Sequence, residues 1–163
     1  MGGPSTELSS RHDETKASFQ AWVTLAILIV VYVFNFVDRQ ILAILAERIK
    51  GDLGVSDAQL GFLYGTAFAV FYAVFGIPLG LLADLGNRRS VIAAGLGFWS
   101  LMTTLSGFAS SFPQLALARI GVGVGEAASA PAAYSMLSDL FPKRQRATVL
   151  ALYSAGIYIG SGL

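Results

Sequence analysis

From Trp22 to Ala46 the chain is apolar over 25 residues, apart from one polar stretch. As a helix, a run of about this length crosses a hydrocarbon core of roughly 30 Å. The interruption is Asn35-Phe36-Val37-Asp38-Arg39-Gln40, and apolar residues resume at Ile41 and continue to Ala46. An acid and a base at the bilayer centre each cost about 2.5–3.5 kcal/mol on insertion scales. A helix that only anchored the protein would not carry them. Asp38 and Arg39 are therefore expected to face a polar cavity or a partner helix. The alternative is a paired, purely structural position near the membrane edge.

Composition extends this reading to the whole chain. Hydrophobic residues make up 55% and charged residues 13%, about half the charged share of a soluble domain. The chain reads as an all-α membrane protein. It has no cysteine, so neither a disulfide framework nor a thiolate metal site can form. Its single histidine, His12, lies in a polar segment, which leaves little for a metal centre or a histidine-based triad. A net charge of +1 excludes a strongly basic nucleic-acid surface.

Met1 to Ser18 is polar, and residues 1–20 read as a disordered cytoplasmic tail. They are not a signal peptide, because the apolar run that follows is too long and lacks a clear cleavage site. Five spans are expected, at about 21–46, 58–83, 91–108, 115–137 and 147–163, making 21–163 an incomplete helix bundle. Glu47 to Asp57 reads as a polar connection, with Ser56 as an N-cap and Gln59 in capping-box position. In the second span Gly61, Gly65, Ala69 and Ala73 form a small-residue stripe that admits another helix, and Pro78 is expected to bend its end. Asp84 to Arg89 is a charged turn, and Asp139 to Arg146 a basic loop containing Pro142. With the N-terminus inside, seven loop or tail cations fall inside (Arg11, Lys16, Arg88, Arg89, Lys143, Arg144, Arg146) and two outside (Arg48, Lys50). That asymmetry predicts a cytoplasmic N-terminus, with a bacterial inner membrane as the expected location.

Four ionisable residues lie within the spans: Asp38, Arg39, Arg119 and Glu126. Arg119 and Glu126 are seven apart and share nearly one helix face; Asn35 and Arg39, four apart, can share another. The four charges sum to zero, which suggests a common cavity between the first and fourth spans. Burial raises a carboxylate's pKa and a nearby arginine lowers it, so carboxylates held between those influences suit proton coupling. A permanent Arg119–Glu126 ion pair locking the bundle is the structural alternative. Gly121-Val122-Gly123-Val124-Gly125 is not a dinucleotide loop, because it lies within a span and not between strand and helix. These glycines are expected to let another helix or a substrate approach the backbone.

Two stretches resemble the major facilitator superfamily. Gly80-Leu-Leu-Ala-Asp84-Leu85-Gly86-Asn87-Arg88-Arg89 is similar to its signature between helices two and three. Arg119-Ile-Gly-Val-Gly-Val-Gly-Glu126-Ala127 is similar to its fourth-helix motif, and Gly156-Ile-Tyr-Ile-Gly160 to the opening of its fifth-helix glycine motif. Together with Asp38-Arg39, these features resemble the spinster branch, whose members are associated with lysophospholipids and sphingolipid phosphates.

The resemblance implies the N-terminal part of a twelve-helix fold, with the chain ending in the fifth helix. It implies an expected monomer that works by alternating access in a lipid bilayer, with protons as the coupling ion and no cofactor. Asp38 and Glu126 would be the protonatable pair, with Arg119 tuning them. Arg39, with Asn35 one turn before it, would meet an amphiphilic anionic substrate, or Glu126. Gly80, Asp84, Arg88 and Arg89 would form a cytoplasmic gate. Leu85 and Asn87 replace a basic residue and a glycine of the general motif, so a weaker latch is expected. A small organic anion such as a sugar acid is the alternative cargo. An intramembrane lipid-modifying enzyme is not expected: the spans hold no cysteine or histidine and one carboxylate pair.

Overall fold

A computed structural model of the protein describes residues 17–162, and most of the expected tail lies outside them. Six helices follow one another: α1 (Phe19–Ile44), α2 (Ala46–Leu53), α3 (Asp57–Leu85), α4 (Arg88–Gly107), α5 (Phe112–Leu140) and α6 (Lys143–Gly162). Among the described residues α1, α3 and α4 are long and apolar enough to cross a membrane on length and composition alone. α5 and α6 have 29 and 20 residues, but Gly, Ala, Ser and charged residues replace much of the Leu and Ile. Between Leu115 and Ala133, α5 is mostly buried in protein, where small residues pack well.

The helices divide into two compact units. One comprises the chain ends, up to Phe34 and from Tyr134 onward; the other is Asn35–Ala133. In the first, α6 buries Val149, Tyr153, Gly156 and Gly160, spaced four, three and four apart along one stripe. Tyr32 stacks on Tyr153 with ring centroids 4.5 Å apart. A Cβ on Gly156 would meet the Tyr32 ring at 3.3 Å, so the missing side chain makes room for this stack. Trp22 meets Phe141 edge-on at 5.1 Å.

In the second unit, part of the stretch expected as a polar connection, Glu47 to Asp57, is the helix α2. Charge pairs along the helix support it: Lys50–Glu47 at 3.1 Å and Arg48–Asp52 at 3.9 Å. Gly54 ends it in the left-handed conformation, φ 63°, with its N–H bonded to the Lys50 carbonyl. Lys50 also reaches Asp57 at 2.6 Å. The hydrogen bonds to Asp57 and then Glu47 hold the Lys50 pKa above its usual value. The ammonium's contribution is thus present at neutral pH and is lost only as pH rises through that raised value. Ser56 and Gln59 form the expected capping box: Gln59 N–H donates to Ser56 Oγ (3.3 Å), and Ser56 N–H donates to Gln59 Oε1 (2.8 Å).

Within α3, residues Phe62–Ala67 take the wider π-helical winding. Such a segment inserts a residue into the register and re-aims the side chains beyond it. Tyr64 thereby donates its hydroxyl to the Leu42 carbonyl. Pro78 lies inside α3, which continues to Leu85. The stripe of Gly61, Gly65, Ala69 and Ala73 is exposed, and open space lies over both glycines; Gly80, further on, touches Pro131 at Cβ distances of 3.6–3.7 Å.

The α5 glycines meet their neighbours closely, as the sequence suggests. A Cβ on Gly125 would lie 2.8 Å from the Trp99 backbone nitrogen and 2.9 Å from the Gly95 carbonyl oxygen. A Cβ on Gly95 would lie 2.9 Å from the Gly125 oxygen. The obstacle is backbone, so α4 and α5 would have to separate to admit a methyl. Gly125→Ala is expected to destabilise the protein by about 1–3 kcal/mol, the usual cost of overpacking. Gly97→Ala, where a Cβ meets nothing within 4 Å, should be nearly silent in the same detergent melting experiment.

Candidate functional site

The four intramembrane charges pair between α1 and α5, inside the unit Asn35–Ala133. Arg119 Nη1 donates to Asp38 Oδ2 at 3.0 Å, and both side chains are 7% exposed. Arg39 donates to Glu126 Oε2 twice, from Nη2 at 2.7 Å and from Nε at 3.2 Å. Arg119 and Glu126 share a helix face, yet each pairs with a residue of α1. The Arg119–Glu126 pair considered above does not form. Asp38 and Arg39 are adjacent on α1, while their partners are two turns apart on α5. The long Arg39 side chain covers that difference.

The two pairs differ in surroundings. Asp38 and Arg119 are both buried. Glu126 is fully buried, but Arg39 retains 35% side-chain exposure. The Arg39 guanidinium carbon lies 4.3 Å from the Phe68 ring centroid, 5.2 Å from Phe36 and 5.9 Å from Tyr72. Aromatic faces attract a cation by about 0.5–2 kcal/mol each, more when water is excluded. Phe68 in turn rests on Gly123, whose absent Cβ would stand 3.3 Å from the ring. That gives a glycine of α5 an indirect part in placing the cation. Glu126 Oε2 takes both arginine bonds, while Oε1 is buried without a partner. A free, buried carboxylate oxygen is a place for a proton.

Asn35 is buried one turn before Arg39. Gly80 and Asp84 occupy the last turns of α3, and Arg88 and Arg89 open α4. Asp84 and Arg89 are exposed, and Arg88 is half-buried. Asn87 caps α4, its side chain accepting from the N–H groups of Arg89 (3.1 Å) and Ser90 (3.4 Å). Phe36 and Tyr64 had no place in the sequence-derived site. Phe36 could have been found from its position three residues before Arg39 on one helix. Tyr64 carries no such signal, because the π-helical segment sets its direction.

A pocket of about 300 Å³ reaches the Asp38–Arg119 pair from the end of α1, with Arg48 and Asp52 of α2 among its lining residues. A second cavity of about 400 Å³, almost wholly apolar, lies among α3, α4 and α5, with Leu79, Leu82, Val91, Phe98 and Val124 on its walls. Among the described residues there is no cluster of three or more histidine, cysteine or acidic side chains that could hold a metal ion.

Residues 28–163 match the Major Facilitator Superfamily. An MFS-type efflux pump of Mycolicibacterium smegmatis is 37% identical over 161 residues, which is 99% of this chain and 38% of that protein. A probable L-galactonate transporter of Escherichia coli is 32% identical over 139 residues, 84% of this chain and 30% of that protein. The crystal structure of a bacterial homolog to the human lysosomal transporter Spinster, inward-facing and unoccupied, superposes with a TM-score of 0.85 at 39% identity. It covers 89% of this chain and 30% of its own. The chain thus spans well under half the length of the relatives it matches, and its helices correspond to the N-terminal part of their fold.

Proposed function

The chain belongs to the Major Facilitator Superfamily, a family of multi-pass membrane transporters and not of enzymes, and from that premise we propose that the full-length protein is a proton-coupled secondary transporter of amphiphilic anionic lipids. The cargo class is lysophospholipid or sphingolipid phosphate, carried by alternating access. The observation that carries this reading is the setting of Arg39, a partly exposed cation between the Glu126 carboxylate and three aromatic rings. An anionic head group can take the guanidinium while the apolar chain lies along the aromatics.

In this mechanism a proton and the substrate bind together around Arg39. A proton on Glu126 Oε1 neutralises the carboxylate and leaves the guanidinium with an unbalanced charge. The anionic head group then supplies the missing countercharge. Loss of the proton restores the Arg39–Glu126 pair and displaces the anion. Asn35, buried one turn before, offers an amide to the head group. Asp38 and Arg119 form the second, enclosed pair, whose protonation frees Arg119. The N-terminus is placed in the cytoplasm, with Gly80, Asp84, Arg88 and Arg89 as a gate on that side.

The second reading keeps the mechanism and changes the cargo to a small organic anion such as a sugar acid. It draws on the similarity to the protein named a probable L-galactonate transporter and on arginine's bidentate fit to carboxylates. The two readings separate in liposomes containing the full-length protein under an imposed pH gradient. Uptake of fluorescent lysophosphatidylethanolamine, unaffected by millimolar galactonate, is expected. Galactonate uptake with no lipid movement would instead establish the second reading.

A further inference from the structure

The pocket beside Asp38 touches only one of the two ion pairs. It is walled by α1 beyond Asp38, by α2, by the last residues of α4 and by the first of α5. Asp38 and Arg119 line it, whereas Arg39 and Glu126 do not. We propose that it is a hydrated proton-entry path, giving Asp38 access to the solution at the α2 end of the bundle, apart from the face where Arg39 meets substrate. The proposal rests on the transporter reading above, in which that end is extracytoplasmic.

Three observations support water in this pocket. Its volume of about 300 Å³ holds several waters at about 30 Å³ each. Polar groups line it: Arg48 and Asp52, which are 81% and 70% exposed, Ser106, Thr103 and the buried ion pair. Thr103 Oγ1 is buried and has no hydrogen-bond partner in the protein, and a water in the pocket would satisfy it. An apolar void would need none of these groups.

The proton step balances simply. A hydronium in the pocket gives its proton to the Asp38 carboxylate; an O–H bond forms on Asp38, one breaks on hydronium, and water remains. Arg119 then faces a neutral acid. The charged and titratable groups around Asp38 are Arg119 and, two turns on, Glu126 from α5, Arg39 beside it on α1, Arg48 and Asp52 from α2, and Tyr64 from α3. From α4 come only the uncharged Thr103 and Ser106.

Right-side-out vesicles carrying the full-length protein provide the test. A water-soluble carbodiimide with an amine nucleophile is added outside, and labelling of Asp38 is read by mass spectrometry. Ser106→Cys, as the single cysteine of a full-length background from which any other cysteine has been removed, lets a membrane-impermeant thiol reagent plug the pocket. Plugging is expected to lower Asp38 labelling roughly tenfold, as occlusion of a path several waters long should, and to leave Glu126 labelling unchanged. Ala109→Trp, on the same wall, should act likewise without chemistry. In liposomes the plugged protein should lose pH-driven lysophosphatidylethanolamine uptake yet still exchange that lipid without a gradient. Asp38 labelling that is absent from outside, or indifferent to both plugs, overturns the path. If labelling behaves as expected but neither lipid nor galactonate moves in the wild type, the access route stands and the transporter reading fails.

Discussion

Glu126→Gln is expected to abolish pH-driven uptake while leaving the protein folded. The substitution keeps the size and shape of the side chain and its ability to accept from Arg39. It removes the negative charge and the buried oxygen, Oε1, on which a proton can sit. In the wild type both bonds from Arg39 fall on Oε2, at 2.7 and 3.2 Å. A glutamine carbonyl turned toward Arg39 preserves at least one of them. Its amide nitrogen then occupies the position of Oε1, which has no partner in the protein.

Arg39 does not become an isolated buried charge, because it is one-third exposed and lies against Phe36, Phe68 and Tyr72. Stability should therefore change little. Transport should change greatly, since the site is held permanently in its neutral-acid form. Gradient-driven accumulation should fall about tenfold or more, equivalent to at least about 1.4 kcal/mol of lost coupling. Binding of the anionic probe should persist and lose its dependence on pH. Uptake that keeps its response to the gradient in Glu126→Gln would remove Glu126 from the coupling mechanism.

Sequence reasoning reached the residue types of this site, and the resemblance offered Glu126 as one partner of Arg39, but spacing alone did not reach the pairing. Charges within apolar runs stand out because the membrane penalises them, so Asp38, Arg39, Arg119 and Glu126 were visible as a group. Spacing along one helix offers an Arg119–Glu126 pair only as the structural alternative, because periodicity shows which residues share a face. It does not show which residues another helix brings opposite them, and α1 supplies a closer partner to each. The capping box at Ser56 and Gln59 was legible because it is local. α2 was not, because a short charged helix and a polar loop have similar composition. Nor was the π-helical segment of α3, which no sequence periodicity announces, so the approach of Phe68 to Arg39 could not be read in advance.

The enclosed pair should respond in the opposite way to the exposed one. Asp38→Asn leaves the Arg119 guanidinium buried without a countercharge, in a site where both side chains are only 7% exposed. Removing one partner of a buried pair typically costs about 3–5 kcal/mol, most of it the penalty of the charge left behind. The melting temperature in detergent should therefore drop clearly for Asp38→Asn and hardly at all for Glu126→Gln. Removing both charges tests the origin of that loss. In Asp38→Asn with Arg119→Gln no uncompensated ion remains, so much of the lost stability should return, and the double-mutant cycle should show strong coupling. Thr103→Val, which deletes the unpartnered hydroxyl on the same pocket wall, serves as a control for changes near the pair that leave its charges alone. If Asp38→Asn melts like the wild type, the waters of the pocket alone compensate the Arg119 charge and Asp38 is not needed for stability. If the double substitution is no better than the single one, the loss comes from packing and not from charge. Recovery of stability without recovery of transport would separate the two roles proposed for Asp38, as countercharge to Arg119 and as carrier of a proton.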